Sequence, residues 1–204
     1  MLRRMIVVAF ATLLSFAPLG SVAAQDDVPS LREQRQTLED GGLPSASELG
    51  SGWALGVAQS YSSATTPTFE IHEAVYADGF GTRVHILAGI HDRRSESAAL
   101  DLFTFILESH ATLLVASDYA PTARELRALD DPSGCDDVQR ATGEEPLTYF
   151  FVGSLLCHDS DNDRMLLVLI SGNYNGFTFQ EAAEEVLEIV LDVEPASGVM
   201  GTKD

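Results

Sequence analysis

The apolar residues of this chain change their spacing along the sequence, and this change limits the folds that the chain can adopt. Around 53–57, 69–75 and 84–90, apolar side chains alternate with other residues, which is the period-two spacing of β-strands. From 95 to 113 they recur every three or four residues, as in a helix with one buried face. The folded part is therefore predicted to begin with strands and to continue with a helix.

The C-terminal half repeats this order. Segments 147–157 and 165–170 are apolar enough for two buried strands, and the acidic stretch 159–163 forms the turn between them. Thr178 and Glu181 have the spacing of a capping box, which predicts a second helix. The complete order predicts an α+β fold, with an antiparallel sheet and two main helices packed on one face.

The first residues have the parts of a secretory signal. Arg3 and Arg4 precede an apolar run over 5–16, which is shorter than the ~20 residues of a membrane-spanning helix. Small residues up to Ala24 predict cleavage after this position. We therefore expect 1–24 to be a signal peptide and the mature protein to be secreted or extracytoplasmic; an uncleaved anchor is the alternative.

The mature chain is predicted to have three parts. Residues 25–46 are polar and acidic and contain several Pro and Gly residues, which indicates a flexible tether. Residues 47–194 carry the periodic segments and are expected to form a single α+β domain. Residues 195–204 are expected to be a loose C-terminal tail.

The charge of the chain excludes several functions. The formal net charge is −19, and the part after residue 24 carries ten basic and 31 acidic residues, or −21. Such a surface repels nucleic acids and anionic membranes. The only lysine, Lys203, lies at the C-terminus, where it cannot support Schiff-base or P-loop chemistry. We expect no nucleic-acid partner, no cofactor and no stable membrane insertion after signal cleavage; the partner is an unknown small molecule or protein.

The two cysteines, Cys135 and Cys157, both lie in the mature part. Export permits disulfide formation, so they are predicted to form one bond, which would stabilise the fold by about 3 kcal/mol. The alternative is that Cys157 is a nucleophile with His158 as its base. Neighbouring residues of a strand point to opposite faces, which disfavours this alternative.

An acidic turn is the sharpest local motif. Asp159, Asp161 and Asp163 match the first three alternating ligands of a calcium loop. Arg164 stands where that loop needs Gly, and Ile170 replaces the Glu that completes the coordination. The turn therefore predicts at most a weak calcium site, and a solvated hairpin turn is the alternative.

A second candidate site is the loop that contains Asn173, Tyr174 and Asn175, because a rigid scaffold can present such residues to a ligand. The alternative is a connection that needs Gly or Asn for its backbone conformation. Trp53 and Tyr61 are possible ligand platforms, but a lone Trp is more often a core anchor.

No known catalytic motif is present. His72 and Glu73 begin a zinc-protease pattern, but Tyr76 stands where its second His is required. The five His residues show no spacing that places two of them on one helical face, and no serine has the spacing of a nucleophile elbow. Catalytic residues, if present, are dispersed along the chain.

The segment from Leu43-Pro44 to Gly52-Trp53 resembles the opening of exported bacterial domains that begin with Leu-Pro, a Leu and then Gly-Trp. In outline the chain is similar to PsbP-like domains and to the extracytoplasmic sensor modules of bacterial kinases. The resemblance implies a binding, sensing or accessory role and assigns no catalytic residue. The sensor modules generally carry more than one disulfide, whereas this chain has one pair of Cys.

The expected function is that of a secreted, non-enzymatic binding, sensing or accessory domain. A small extracellular hydrolase with dispersed His and carboxylate residues is one alternative, and a weak calcium-binding surface protein is another. An enzyme should bring His, a carboxylate and a nucleophile together, whereas a binding module should not need them in one place.

Overall fold

The computed structural model describes residues 28–116, 137–145, 150–173 and 179–196. The predicted signal peptide and most of the predicted tail lie outside these residues. The helices and strands are α1 (Leu31–Gly41), β1 (Ala54–Ser62), β2 (Glu70–Ala77), β3 (Arg83–Ile90), α2 (Glu96–Ala116), β4 (Asp137–Glu145), β5 (Phe150–Asp159), β6 (Arg164–Asn173) and α3 (Phe179–Leu191). A short 3-10 turn, Ser160–Asn162, joins β5 to β6.

The six strands form one antiparallel sheet in the order β1-β2-β3-β6-β5-β4, which confirms the α+β fold class. The last strand, β6, lies in the middle of the sheet between β3 and β5. The edge strand β4 was not predicted, because its sequence is polar and shows no clear apolar alternation. Polar sequences suit the edges of sheets, where one side of the strand stays unpaired.

Alternate residues of β6 pack against different helices. Leu166, Val168 and Ile170 belong to the core that contains Val186 and Val190 of α3. Met165, Leu167 and Leu169, which alternate with them, belong to a second core. This core contains the buried face of α2, including Phe103 and Leu107. Because side chains alternate across a strand, α2 and α3 lie on opposite faces of the sheet.

Two helices do share one face, but they are α1 and α3. We call this the α1/α3 face and the opposite one the α2 face. Helix α1 packs on β1 and β2, and α3 packs on β5 and β6. The helix predicted over 95–113 is present as α2, but it packs on the other side of the sheet, mainly against β4, β5 and β6.

The predicted tether is wrong for residues 31–46, because this stretch contains α1 and is packed on the sheet. Ser30 and Glu33 form a complete capping box at the start of α1. Gln34 and Thr37 are buried, and Leu43 belongs to the core of the α1/α3 face. Helix α1 buries polar side chains where most helices bury apolar ones, so its composition resembles that of a solvated segment.

A buried arginine joins the ends of three elements. Arg164 has no exposed surface, and its Nε donates to Oδ2 of Asp159 at 2.6 Å. Its Nη1 donates to the carbonyls of Gly42 and Val193 at 2.9 and 3.0 Å, and its Nη2 to that of Val190 at 3.2 Å. Gly42 has a left-handed φ of 58°, and a Cβ there would lie 2.5 Å from Nη1. Arg164 thus fastens β6 to the C-terminal ends of α1 and α3.

The outer side of α3 carries exposed glutamates. Glu185 and Glu188 are exposed, whereas Val186 and Val190 of the same helix are buried. Within the described part of the chain, no helix combines the length and the apolar character needed to cross a membrane.

Candidate functional site

Four polar residues form a cluster on the α2 face, at the end of the sheet where α2 does not pack most closely. We call this the Glu73 cluster; its members are Gln59, Tyr61, Glu73 and His85. Gln59 of β1 lies directly opposite Glu73 of β2. Tyr61 of β1 lies opposite Ile71, which is on the same face of β2 as Glu73. His85 of β3 is diagonal to Glu73, a position from which long side chains reach each other.

Glu73 is the centre of this cluster. Its side chain is 2% exposed, its Oε2 accepts a hydrogen bond of 2.8 Å from Gln59 Nε2, and its Oε1 lies 2.6 Å from His85 Nε2. The His85 contact lies off the direction of a well-aligned ring N–H bond. Burial would raise the pKa of Glu73, but the contact and charge of His85 and the Gln59 hydrogen bond outweigh it, so this pKa lies below its ordinary value. Glu73 is therefore an anion at neutral pH.

Tyr61 lies on the same face of the sheet as this carboxylate and within reach of its charge. Its hydroxyl is buried and has no hydrogen-bond partner among the described residues. Burial and, secondarily, the charge of Glu73 raise the pKa of Tyr61, so the phenol keeps its proton. A buried hydroxyl without a partner costs about 1–3 kcal/mol. Tyr61 therefore offers a donor that the described part of the protein does not use.

The Glu73 cluster is partly open to solvent. The side chain of His85 is 19% exposed, and Val57 and Val75, on the same face, are half-buried. Helix α2 packs mainly on the other half of the sheet. The cluster thus combines a fixed anion, a protonated phenol and an imidazole with apolar surroundings, an arrangement that can hold a small polar molecule.

The acidic turn has a structural task. Oδ1 and Oδ2 of Asp159 accept hydrogen bonds from Asn162, and Oδ2 also accepts from Arg164. Asp161 and Asp163 are exposed. In the ranges that the structure describes, no group of three or more His, Cys, Asp or Glu side chains is arranged to hold a metal ion. Calcium would have to compete with Arg164 for Asp159, and the predicted weak site stays a prediction.

The other predicted site residues are only partly described. Asn173 is the last residue of β6 and pairs with Phe150, while Tyr174 and Asn175 lie outside the described residues. Cys157 is fully buried in β5 and is not a free thiol. Its predicted partner, Cys135, lies outside the described residues, so the pairing of the two stays a prediction.

The fold also brings together two histidines that are distant in the sequence. The ring centroids of His91 and His158 lie 5.9 Å apart, and His158 Nε2 lies 3.9 Å from Glu96 Oε1. His91 is buried, and neither ring nitrogen has a hydrogen-bond partner among the described residues. Burial is the main cause that lowers the pKa of His91. Helical spacing does not reveal this pair, because His91 follows β3 and His158 lies on β5, two strands that are separated by β6 in the sheet.

No protein-family model matches this chain, and neither a curated protein nor a solved structure shows significant similarity to it. The resemblance to PsbP-like domains and sensor modules stays a prediction. The site must therefore be interpreted from its own chemistry.

Proposed function

We propose that the mature protein is an extracytoplasmic α+β domain that binds a small, neutral, hydroxyl-bearing ligand at the Glu73 cluster. The observation that carries this proposal is the buried hydroxyl of Tyr61, which has no partner among the described residues and lies within electrostatic reach of the anionic Glu73. Stability alone disfavours such a pair, because an apolar side chain would avoid the cost of the unpaired hydroxyl. Functional sites commonly retain groups of this kind.

The charges at the site select the ligand class. Tyr61 needs an acceptor atom, but an anionic acceptor would be repelled by Glu73 and by the formal net charge of −19. A hydroxyl group avoids this conflict, because it accepts from Tyr61 and donates to a carboxylate, an amide oxygen or an imidazole nitrogen. Neutral saccharides and polyols fit these requirements, and the apolar Val57 and Val75 suit the C–H surface of a sugar ring.

The cellular setting is part of the proposal. The signal-like 1–24 segment supports export from a bacterial cell, and export supports a disulfide between Cys135 and Cys157. A binding, sensing or accessory role follows from a site that holds a ligand. Intact-mass measurement of the mature protein without reduction should give a mass two daltons below that of the dithiol form; two alkylatable thiols would contradict the disulfide.

The binding proposal is tested by NMR titration of the mature protein with neutral mono- and disaccharides, with glucuronate as the charged counterpart. We expect saturable shifts of the Tyr61 and His85 ring signals with one or more neutral sugars and none with glucuronate. Tyr61→Phe and Glu73→Gln should abolish them. Tyr76→Phe is the matched control, because Tyr76 lies on the opposite face and its hydroxyl is already bonded to Pro44.

Two results would contradict the proposal. The first is that none of the neutral saccharides causes saturable shifts in the wild-type protein. The second is a titration that Tyr61→Phe leaves unaltered, because the ligand would then bind elsewhere.

A further inference from the structure

A serine and a histidine face each other on the opposite side of the same two strands. Ser60 of β1 lies directly across from His72 of β2, and Ser60 Oγ is 2.9 Å from His72 Nδ1. Thr37 of α1 completes the group, with its Oγ1 3.0 Å from Ser60 Oγ. Ser60 is exposed on an edge strand, whereas His72 is only 2% exposed. An accessible hydroxyl is thus held against a buried imidazole.

The surroundings of His72 favour the tautomer that can accept the serine proton. Glu70 Oε2 lies 3.7 Å from His72 Nε2, on the side of the ring away from Ser60. A carboxylate there stabilises a proton on Nε2, which leaves Nδ1 as the acceptor for the Ser60 hydroxyl. The C-terminal end of helix α1 packs closely on His72, since a Cβ on Gly41 would lie 2.5 Å from His72 Cβ.

The electrostatic balance keeps this imidazole neutral. Burial lowers the pKa of His72, and the opposing effects of Glu70 and Asp40 are smaller. A neutral imidazole is the form that can act as a general base. Nucleophile, base and carboxylate thus stand in the order Ser60, His72, Glu70, which is the arrangement that activates a serine.

We propose that Ser60 is a nucleophile activated by His72 and that this site hydrolyses small carboxylic esters. This inference goes beyond ligand binding at the Glu73 cluster, because it concerns the α1/α3 face and a covalent step. The sequence left a hydrolase with dispersed residues as an alternative function, and Ser60, His72 and Glu70 are such residues.

The reaction has two balanced steps. Ser60 Oγ attacks the ester carbonyl carbon while its proton passes to His72 Nδ1; the bond to the leaving alcohol breaks, and the alcohol takes that proton. Water then attacks the acyl-serine, passes a proton to His72, and the carboxylic acid leaves as Ser60 recovers its proton. The products are one acid and one alcohol, and His72 ends in its starting form. Thr37 is a positioning residue that orients the serine hydroxyl.

The first experiment needs no variant. The mature protein is treated with an aryl fluorophosphonate, and the modified serine is mapped by mass spectrometry over time. Ser62 is the internal control, because it lies on the same face of β1 but opposite Glu70 rather than a histidine. General-base activation predicts that Ser60 is labelled about 10²-fold faster than Ser62. Equal labelling of both serines would overturn the proposal.

The second experiment measures hydrolysis of 4-nitrophenyl acetate. Ser60→Ala should reduce the rate to that of the uncatalysed reaction, and Ser62→Ala should leave it unchanged. Glu70→Gln tests the tautomer argument on a side chain that is 60% exposed. We expect it to lower kcat with little change in KM, whereas a structural contact between α1 and the sheet would leave both values unaltered.

His72→Gln is expected to abolish both labelling and hydrolysis, but His72 is buried and its loss can also prevent folding. Labelling of the wild-type chain and the Ser60→Ala rate decide the proposal in either case. Hydrolysis that survives Ser60→Ala would contradict it. The two proposals fail separately, because label mapping reports on Ser60 and the saccharide titration reports on the Glu73 cluster.

Discussion

Two buried carboxylates of this protein, Asp159 and Glu73, each contact a basic side chain at 2.6 Å, yet their surroundings differ. The partner of Asp159 is Arg164, which is fully buried and also donates to three backbone carbonyls. The partner of Glu73 is the half-buried His85, and the nearby Tyr61 hydroxyl has no described partner. One pair is saturated with hydrogen bonds, and the other is not.

The difference separates a structural role from a binding role. A saturated buried pair has no remaining donor or acceptor for a ligand, and removing one partner leaves an uncompensated charge. An unsaturated pair with a solvent-accessible member carries a cost that a ligand can remove. We therefore expect substitutions at the Arg164 pair to change stability, and substitutions at the Glu73 cluster to change ligand binding more than stability.

The largest effect is expected for Arg164→Met. It leaves Asp159 buried without its cation and removes the links from β6 to Gly42, Val190 and Val193. The free energy of unfolding, measured by urea denaturation, should fall by about 3–5 kcal/mol. Arg83→Met, which replaces an exposed arginine of β3, is the control and should change it by less than about 0.5 kcal/mol. Equal effects of the two substitutions would contradict a structural role of the Arg164–Asp159 pair.

Two tyrosines with buried hydroxyls, Tyr61 and Tyr76, should respond in opposite directions to the same change. Tyr61→Phe removes an unpartnered hydroxyl and is expected to stabilise the fold by about 1–3 kcal/mol. Tyr76→Phe breaks the hydrogen bond to the Pro44 carbonyl and is expected to destabilise it by about 1 kcal/mol. Urea denaturation of both variants measures the difference. Destabilisation by Tyr61→Phe would mean that its hydroxyl already has a favourable partner.

The free energy of unfolding should decrease in two separate pH ranges as the pH is lowered. Burial lowers the pKa of His72 and His91, so the unfolded chain binds more protons than the folded one below about pH 6.5, and stability falls as pH decreases from there. Glu73 also has a lowered pKa, so its contribution is present above its ordinary pKa of about 4.5 and is lost at lower pH. We expect a loss of about 1–2 kcal/mol between pH 7.5 and 5.5.

His91→Asn tests the contribution of the histidines to the upper of these two pH ranges. It should reduce the loss of stability between pH 7.5 and 5.5 and leave the loss below pH 4.5 in place. Urea denaturation at several pH values measures both. A wild-type protein that is equally stable at pH 7.5 and 5.5 would show that His72 and His91 keep ordinary pKa values in the fold.

The smallest effect is expected from salt. The acidic surface repels itself, and the exposed Glu185 and Glu188 are part of it. Screening by sodium chloride should raise the melting temperature at neutral pH by ~2 °C, whereas the buried pairs are screened much less. A melting temperature that falls steadily from low to moderate salt would indicate that attractive surface ion pairs outweigh the repulsion.

Much of the sheet could be predicted from the sequence because its signals are local. Alternation located β1, β2 and β3. The short connection between β2 and β3, closed by the hydrogen bond from the Asp78 N–H to the Thr82 carbonyl, sets the register of this hairpin. That register alone places Glu73 and His85 on one face and within reach. Helical spacing does not reveal this pair, because Glu73 and His85 lie on two neighbouring strands.

The remaining contacts depend on long-range packing. The connection between β1 and β2 is too long for its turn to set the register, so the sequence could not place Ser60 opposite His72. The same holds for Arg164, whose side chain reaches Gly42 and Val193, residues far away in the chain. In the sequence, Arg164 only disagreed with the calcium-loop pattern. Its hydrogen-bond partners become visible only in the fold.

The central place of β6 has a consequence for how the molecule is assembled. β6 is the last strand of the described residues, yet it alone joins the β1–β3 sheet to the β4–β5 hairpin. A growing chain therefore holds two incomplete half-sheets until β6 arrives, and Arg164, its first residue, then fastens the ends of α1 and α3. Folding with so many contacts between distant segments is expected to be slow and to start only when nearly the whole chain is present.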